Sequence, residues 1–318
     1  YGVNDIGWGG LADDAHRNKY LDSIRGIVRA CKERNVRVFI CSAALTRGDI
    51  KNEQCYLQRM GDDGMAIARE LGAGSIDVQR YMRRIAQRME EANAGIEDRQ
   101  KHETMHAADG IHLNGLGQLA MGLAILKGLG APAEVSSAIV DVKAGLSEGA
   151  ACKISGLKVE DATVSFDRLD EGLPLNLGPL WQLNFRFLPI PDELNGYMLA
   201  VRGLRAGEYE VVASERLIGT WSADQLAAGI NIASAVAEGW GPGGPWDAQA
   251  AQLKVMTDAK GELNLSEKLA QDYLKHSSAG PAIAEKTSDV VRRLEDLQRT
   301  IARPVAYRFI IRQAPPRK

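Results

Sequence analysis

The alternation of helix-type and strand-type segments along the first 130 or so residues constrains this fold more than any other feature. Apolar residues recur at helical spacing in long stretches, and short apolar runs separate these stretches. The predicted elements, in order, are a helix over 15–34, a strand over 36–41, a helix over 53–71, a strand over 75–78, a helix ending near 93 and a helix over 114–128. This alternation predicts an α/β fold with helices on both faces of a sheet.

The segment VRVFIC, 36–41, is predicted to be a central parallel strand covered on both faces, because it is continuously apolar and rich in β-branched residues. Cys41 ends this run, and Cys31 lies on the apolar side of the first helix. Both are interpreted as buried small hydrophobic residues and not as ligands or nucleophiles. The four cysteines contain no CxxC pair.

A change of pattern after GLGAPAE predicts a second region. We expect a first domain over 1–135 and an accessory region over 136–318. The accessory region is predicted to be β-rich over about 150–235, helical over about 246–302, and to end in a strand over 304–312.

Several local patterns refine the accessory region. The segment 197–213 is predicted to form two strands joined by a turn, and Ser222 with Gln225 forms a helix-capping box. GWGPGGPW, 239–246, lacks the Gly-Lys-Ser/Thr ending of a phosphate loop and is interpreted as a linker. One face of the last helix and alternate residues of the final strand are expected to be buried, and they are Val290, Leu294, Leu297, Ile301, Val305, Tyr307, Phe309 and Ile311.

The charge balance argues against two classes of partner. With 39 basic and 41 acidic residues, the formal net charge of −2 offers no general attraction for nucleic acid or an anionic membrane. The basic segment 80–91 carries its own carboxylates and is interpreted as a solvated helix face. No apolar run approaches the roughly 20 residues that a membrane-spanning helix needs. We expect no nucleic-acid partner and no membrane span, and the oligomeric state stays open.

The segment DGIHLN, 109–114, places Asp109 three residues before His112 on a loop that precedes a helix. A turn through Gly110 can fold the carboxylate back onto one imidazole nitrogen and leave the other facing a cleft. Such a carboxylate fixes the tautomer of the ring and stabilises the imidazolium that forms when His112 accepts a proton. A histidine held in this way can activate a serine nucleophile.

The chain begins with YGVNDIGWGG, 1–10, and has no initiating methionine. Residues 1 to 3 are predicted to be the end of a strand. Asn4 and Asp5, which favour turns, follow at the point where the backbone leaves the sheet.

The G-x-N-D of residues 2–5 and the D-x-x-H of residues 109–112, separated by alternating helices and strands, resemble the third and fifth conserved blocks of the SGNH (GDSL-type) hydrolases. That family comprises esterases and lipases with a flavodoxin-like three-layer α/β/α fold. The resemblance covers about residues 1–130, and it implies an SGNH-hydrolase domain with a β-rich and helical appendage.

The resemblance also implies roles for individual residues. Asn4 would donate its side-chain amide to an oxyanion hole, with Gly2 in the same turn, and Asp109 and His112 would be the acid and the general base of a catalytic triad. Two residues of the glycine-rich loop are candidate substrate-binding residues, namely Trp8 and Gly7. Trp8 has two interpretations: it lines an acyl or sugar pocket, or it covers the sheet edge.

The first family block, a G-D-S that carries the nucleophile, is absent, as is the glycine of the second block. We expect the chain to be N-terminally truncated, with its first strands and nucleophilic serine upstream of Tyr1. Ser42, after the strand VRVFIC, is the nearest substitute and is interpreted as a strand-end residue.

His102 and His106 are four residues apart and, with His112, have a spacing that zinc ligands can adopt. No carboxylate-rich cluster reinforces that pattern, and His112 is already assigned. We therefore expect neither a metal nor another cofactor.

The predicted function is hydrolysis of small acyl or acetyl esters, including carbohydrate deacetylation, by a Ser-His-Asp triad. The alternative is a non-catalytic protein that binds a glycan or another partner through a degenerate hydrolase domain. The location stays open, with a secreted or periplasmic one favoured over a cytoplasmic one.

Overall fold

The structure is a computed structural model of the 318-residue chain, and it describes residues 2–161, 163–178, 182–234, 241 and 243–315. The architecture is mixed α/β, as predicted. The chain forms two compact units. Unit 1 comprises Tyr1–Pro132 and Asn184–Ile190, and unit 2 comprises Ala133–Leu183 and Pro191–Lys318.

The helices are α1 (Asp14–Glu33), α2 (Tyr56–Glu70), α3 (Val78–Asn93), α4 (Gly115–Gly128), α5 (Ile190–Glu193), α6 (Ala223–Ala228), α7 (Pro245–Tyr273) and α8 (Ala279–Ile301). The strands are β1 (Phe39–Cys41), β2 (Gly74–Ile76), β3 (Glu134–Asp141), β4 (Leu146–Ala150), β5 (Cys152–Glu160), β6 (Thr163–Asp170), β7 (Gly196–Arg202), β8 (Glu208–Ala213), β9 (Arg216–Ser222), β10 (Ile230–Asn231) and β11 (Ala306–Gln313).

Unit 1 contains α1 to α4 and the parallel pair β1–β2, in which Ile40 lies opposite Ser75. The helices begin within a few residues of their predicted starts, because a side chain caps each of them. Asp13, Cys55, Asp77 and Asn114 accept a hydrogen bond from the first turn of α1, α2, α3 and α4, respectively. Their apolar faces form a core that includes Val28, Ile40, Met60 and Ala68.

The segment VRVFIC differs from its prediction as a strand covered on both faces. Only Phe39–Cys41 is a strand, and within the described residues its sheet has two strands. Ile40 is buried, whereas Val36 and Phe39 are 53% and 36% exposed. Continuous apolarity therefore does not correspond to burial on both faces here.

Two helices of unit 1 bury different residues from those expected. The leucine spacing of α4 predicts a buried stripe of Leu116, Leu119, Leu123 and Leu126. The buried face is instead formed by Leu116, Ala120, Leu123 and Ala124, and Leu126 is exposed. In α3 the interpretation of a fully solvated basic face is wrong at Arg83, which is buried.

Arg83 is 3% exposed. Its guanidinium donates to the side-chain oxygen of Gln58 and to the main-chain carbonyls of Asp49 and Asn52. These acceptors compensate part of the cost of burying the charge, and Nε of Arg83 has no partner among the described residues. The other end of the basic segment is solvated, where Arg80 forms exposed hydrogen bonds to two aspartates.

Unit 2 contains two sheets in its described residues, with strand orders β10-β7-β3-β4 and β5-β6-β11-β8-β9. The pairing of β3 with β7 is parallel, and the other pairings are antiparallel. Apolar side chains from both sheets form one core with Leu226 of α6 and Trp246 of α7. The capping box of Ser222 with Gln225 is present.

The two strands predicted within 197–213 are β7 and β8, and they lie in different sheets. The predicted linker 239–246 lies partly outside the described residues, at 239, 240 and 242. Its end is not a linker, because Pro245 begins α7 and Trp246 is fully buried, donating to the carbonyls of Ile232 and Ala233.

The final strand buries Tyr307, Phe309 and Ile311 as predicted, but Val305 precedes the strand and is 49% exposed. The predicted buried face of α8 is also partly wrong, since Val290 and Leu297 are exposed. Among the residues that the structure describes, no helix is long and apolar enough to cross a membrane.

Candidate active site

The loop between α3 and α4 carries the D-x-x-H motif and folds back on itself. The N–H of Ala107 donates to the carbonyl of His112 at 2.8 Å, and the N–H of Asn114 donates to that of Met105 at 3.0 Å. These two bonds pair the arms of the loop. Gly110, with φ of +74°, turns the chain between the arms in a conformation that favours glycine.

Within this loop Asp109 contacts His112 as the sequence predicts. Oδ2 of Asp109 lies 2.7 Å from Nδ1 of His112, and Oδ1 accepts hydrogen bonds from the N–H groups of Ile111 at 2.8 Å and of His112 at 2.9 Å. An ionised carboxylate can only accept, so Nδ1 carries the proton. Nε2 of His112 has no hydrogen-bond partner among the described residues, and the side chain is 65% exposed.

The pKa of the Asp109 carboxyl is lowered to about 2. The hydrogen bond from the side chain of His112 is the main cause, and the N–H groups of Ile111 and His112 add to it. Asp109 therefore remains ionised beside His112 at any pH near neutrality.

The start of α4 anchors the second arm of the loop. Oδ1 of Asn114 accepts from the N–H of Gly117 at 3.0 Å, and Nδ2 of Asn114 donates to the carbonyl of Thr104 at 2.5 Å. A Cβ at Gly117 would lie 2.2 Å from the carbonyl oxygen of Met105. This close approach of helix and loop therefore requires glycine at that position.

The G-x-N-D segment forms a turn. The N–H of Gly2 donates to Oδ2 of Asp5 at 2.8 Å, and Gly2 has φ of +106° with Ala43 next to it. The predicted strand end is wrong at Val3, which lies in this turn, and Tyr1 lies outside the described residues.

Trp8 connects this turn to the D-x-x-H loop. Its Nε1 donates to Oδ1 of Asn4 at 2.9 Å, and its ring meets that of His112 edge to face, with 5.5 Å between centroids. Trp8 has φ of +57°, an uncommon conformation for a residue with a bulky side chain. Because Oδ1 of Asn4 is occupied, its Nδ2 is the free group, and it has no acceptor among the described residues.

A cleft of about 680 Å³ lies beside these groups in unit 1. Its walls include Trp8, Gly9, Arg47, Tyr56 and Asp109. Of the two interpretations of Trp8, lining of a pocket is therefore the one that the geometry favours.

Four predicted site residues do not line the cleft themselves, and Gly2, which lies in the turn described above, is one of them. Asn4 and His112 adjoin it through their contacts with Trp8 and Asp109. Gly7 has φ of +50° and lies against Leu11, so it contributes to the backbone conformation of the loop after Asn4.

The cleft contains no serine or cysteine among the residues that the structure describes. Its side-chain hydroxyls belong to Thr46, which donates to Asp49 at 2.8 Å, and Tyr56, which donates to the carbonyl of Asp13 at 2.7 Å. Ser42 is 4% exposed; it donates to Asp77 and accepts from the N–H of Gln79. This position fits its interpretation as a structural residue.

The other histidines of the considered zinc set make separate contacts. Nε2 of His102 lies 2.9 Å from the carbonyl oxygen of Ile96, and Nε2 of His106 lies 2.7 Å from that of Leu45. Burial lowers the pKa of His106, which is 3% exposed. No group of three potential metal ligands exists among the described residues.

Arg47 is a cleft residue that the sequence did not single out. Its Nη2 donates to the carbonyls of Ala107 and His106 and to Oγ1 of Thr104, at 3.1, 3.3 and 3.4 Å. Its main-chain N–H donates to the carbonyl of Gly110 at 2.8 Å. The only signal in the sequence was the charge of Arg47 in a loop after a strand, and such a signal is weak.

A second D-x-x-H occurs in the chain, at Asp13 and His16. Nδ1 of His16 lies 2.9 Å from Asp13, and the N–H of His16 donates to the same carboxylate, which caps α1. This pair has the hydrogen bonds of the Asp109–His112 pair without the contact to Trp8.

No family model matches the chain, and no curated protein matches it in sequence. A solved structure matches the chain in its fold. It is that of a gut microbial diltiazem-metabolizing enzyme, 18% identical, and the match covers 99% of this chain and 82% of that chain with a TM-score of 0.76. At this level of identity the likeness shows a shared fold.

Proposed function

We propose that this chain belongs to a serine ester hydrolase of the SGNH type, acting on small acyl or acetyl esters. One observation carries the proposal. A continuous series of contacts runs from Asp109 through His112 and Trp8 to Asn4, beside a single cleft. These are the acid, base and oxyanion groups that acyl transfer requires.

In the proposed reaction His112 is the general base. Asp109 holds the proton on Nδ1, so Nε2 is left to accept the proton of an attacking serine hydroxyl. The ionised Asp109 then stabilises the imidazolium. When the intermediate collapses, His112 returns the proton to the leaving alcohol and the acyl group remains on the serine. Water hydrolyses that ester in a second step of the same kind.

In the same reaction Asn4 is an oxyanion donor. Its Oδ1 accepts from Trp8, which orients the amide so that Nδ2 is the group available to a substrate oxygen. A donor fixed before the reaction stabilises the negative charge of the tetrahedral intermediate without reorganising.

The size of the cleft and the shared fold support a small substrate. About 680 Å³ is within the usual range of small-molecule sites. The protein that shares the fold is described as metabolizing diltiazem, and diltiazem contains an ester. A carbohydrate acetate is a second substrate class of suitable size.

We place the nucleophile on a serine outside these 318 residues. The cleft hydroxyls of Thr46 and Tyr56 are both committed to other acceptors, and neither contacts His112. The experiment therefore uses the full-length protein that contains this chain.

The test measures hydrolysis of chromogenic acyl esters and acetylated sugars by that protein. His112→Ala should abolish turnover, and Asn4→Ala should lower kcat about 10²–10³-fold, the usual effect of removing one oxyanion donor. His16→Ala is a matched control, since it removes the histidine of the other D-x-x-H and should leave kcat unchanged.

Two results would contradict the proposal. If His112→Ala hydrolysed esters at a near-normal rate, the assignment of the base would be wrong. If the full-length protein bound acetylated glycans but hydrolysed no ester, the alternative of a degenerate, non-catalytic domain would hold.

A further inference from the structure

The loop that carries Asp109 and His112 is attached to the segment after β1 by hydrogen bonds from both sides. Nε2 of His106 lies 2.7 Å from the carbonyl oxygen of Leu45, and the N–H of Arg47 donates to the carbonyl of Gly110 at 2.8 Å. The guanidinium of Arg47 adds further bonds to the same loop. Arg47 thus contacts the loop on both sides of Asp109.

Ala107 is the point at which these bonds converge. Its carbonyl accepts from the N–H of Gly110 at 3.0 Å and from Nη2 of Arg47 at 3.1 Å, while its own N–H donates to the carbonyl of His112 at 2.8 Å. Displacement of this peptide group would move both the turn at Gly110 and the backbone of His112. The side chain of Arg47 therefore acts on the backbone that sets the Asp109–His112 distance.

Packing around Gly110 supports the same conclusion. A Cβ built on Gly110 would lie 3.3 Å from Cβ of Arg47, so the two backbones are in close contact. Thr46 is buried and donates to Asp49, which fixes the short helical turn Arg47–Asp49. The short helical turn Arg47–Asp49 thus presents Arg47 to the D-x-x-H loop.

We propose that Arg47 is a positioning residue for the acid–base pair. It holds the loop so that Asp109 reaches Nδ1 of His112 at 2.7 Å while Nε2 faces outward. This inference rests on the proposed function for its catalytic consequence. The structural part, that Arg47 maintains the Asp109–His112 hydrogen bond, stands independently of any reaction.

The first measurement is NMR of the full-length protein with ¹⁵N-labelled histidine. The hydrogen-bonded Nδ1 proton of His112 gives a low-field resonance, which His112→Gln identifies by removing it. In Arg47→Ala this resonance should broaden or disappear, and the ¹³C titration of the Asp109 carboxyl should move upward from about 2. Arg47→Lys, which keeps the charge but lacks the planar group of donors, should give an intermediate result.

The second measurement is the kinetics of ester hydrolysis. Arg47→Ala should lower kcat on the order of 10²-fold, the cost of a misplacement of about 1 Å, with little change in KM. Added guanidinium at millimolar concentration should restore part of kcat. Arg99→Ala is the matched control, because the side chain of Arg99 is exposed and makes no hydrogen bond to the described residues, so both measurements should be unchanged.

The outcomes distinguish failure of the positioning role of Arg47 from failure of the proposed ester hydrolysis. If the His112 resonance and the Asp109 titration are unchanged in folded Arg47→Ala, the positioning role is wrong, whatever the activity. If the resonance is lost in Arg47→Ala but the unmodified protein hydrolyses no ester, the proposed function fails and the positioning of the pair by Arg47 stands. If Arg47→Ala does not fold, the Nδ1 proton resonance of His112 is measured in Arg47→Lys. A broadened resonance supports the positioning role, and an unchanged one contradicts it.

Discussion

At the scale of single residues, the charge of Asp109 makes the site sensitive to acid. Its pKa of about 2 lies below the ordinary value of 3.8. The ionised Asp109 carboxylate therefore stabilises the folded state fully above about pH 3.8, where this carboxyl is ionised in the folded and unfolded states alike. This stabilisation is lost as the pH falls towards 2, because the unfolded chain takes up the proton first.

A ¹³C titration of labelled aspartate carboxyls tests this prediction. Asp109 should titrate near pH 2, and His112→Ala should raise its pKa towards 3.8, because the largest contribution to the shift is removed. The remaining N–H donors of residues 111 and 112 should keep the value from returning fully. An unchanged pKa in His112→Ala would contradict the hydrogen bond between the two side chains.

The two D-x-x-H segments show how far the candidate site could be predicted. An aspartate readily accepts from the N–H three residues later, and a histidine there brings Nδ1 to the same carboxylate, as both pairs show. The fold-back of Asp109 onto His112 was predictable for this reason. The motif alone could not distinguish the Asp13–His16 pair, whose aspartate caps α1, from the candidate-site pair Asp109–His112, because the contact with Trp8 that separates them is not local to the motif.

The contacts of Trp8 and Arg47 could not be predicted from sequence. Trp8 contacts Asn4 and His112 from a backbone with positive φ, which no residue pattern indicates for tryptophan. Arg47 contacts a loop about sixty residues further along the chain. Local spacing carries no information on such distant pairs.

At the scale of elements, the start of α4 determines where the D-x-x-H loop ends. Asn114 caps the helix through Oδ1 and holds Thr104 through Nδ2. We predict that Asn114→Ala lowers the free energy of unfolding by about 1–2 kcal/mol, the usual cost of losing a cap.

Urea unfolding measures this change. Asn114→Asp should retain the cap but lose the bond to Thr104, and should therefore fall between Asn114→Ala and the natural protein. Gln118→Ala is the control on the same helix, since the one hydrogen bond of the Gln118 side chain is 3.5 Å long and exposed. A loss in Gln118→Ala equal to that in Asn114→Ala would argue against the capping role.

The helices show which part of an amphipathic pattern is informative. Spacing located α1 to α4 and the two long C-terminal helices, because capping residues and apolar periodicity act locally. It did not predict which apolar side chains are covered. In α8, Val290 and Leu297 remain exposed, and polar pairs such as Lys260–Glu295 and Gln298–Thr257 join this helix to α7.

At the scale of the whole molecule, residues far apart in the chain form the core of unit 2. Phe309 of β11 stacks on Phe166 at 5.3 Å and on Trp246 at 5.5 Å between centroids. In its sheet β11 lies between β6 and β8, so this strand is central and not at an edge. The sheet of unit 2 therefore cannot form without β11, which is about 140 residues further along the chain than its neighbour β6.

We therefore predict a large effect from Phe309→Ala. The residue is fully buried, and its truncation should lower the free energy of unfolding by about 3–5 kcal/mol. Val305→Ala, an exposed residue just before the same strand, should change it by less than about 0.5 kcal/mol. Calorimetric or urea-induced unfolding of the two variants tests both values, and equal losses would contradict this account of the core.

The segment Asn184–Ile190 belongs to unit 1, although the chain on either side of it belongs to unit 2. Arg186 in this segment donates to Glu103 of unit 1, and Phe187 and Leu188 are buried. A gene rearrangement that copied residues 1–132 alone would leave these groups behind. Unit 1 is thus discontinuous in the chain, and a fragment cut at residue 132 would lack part of it.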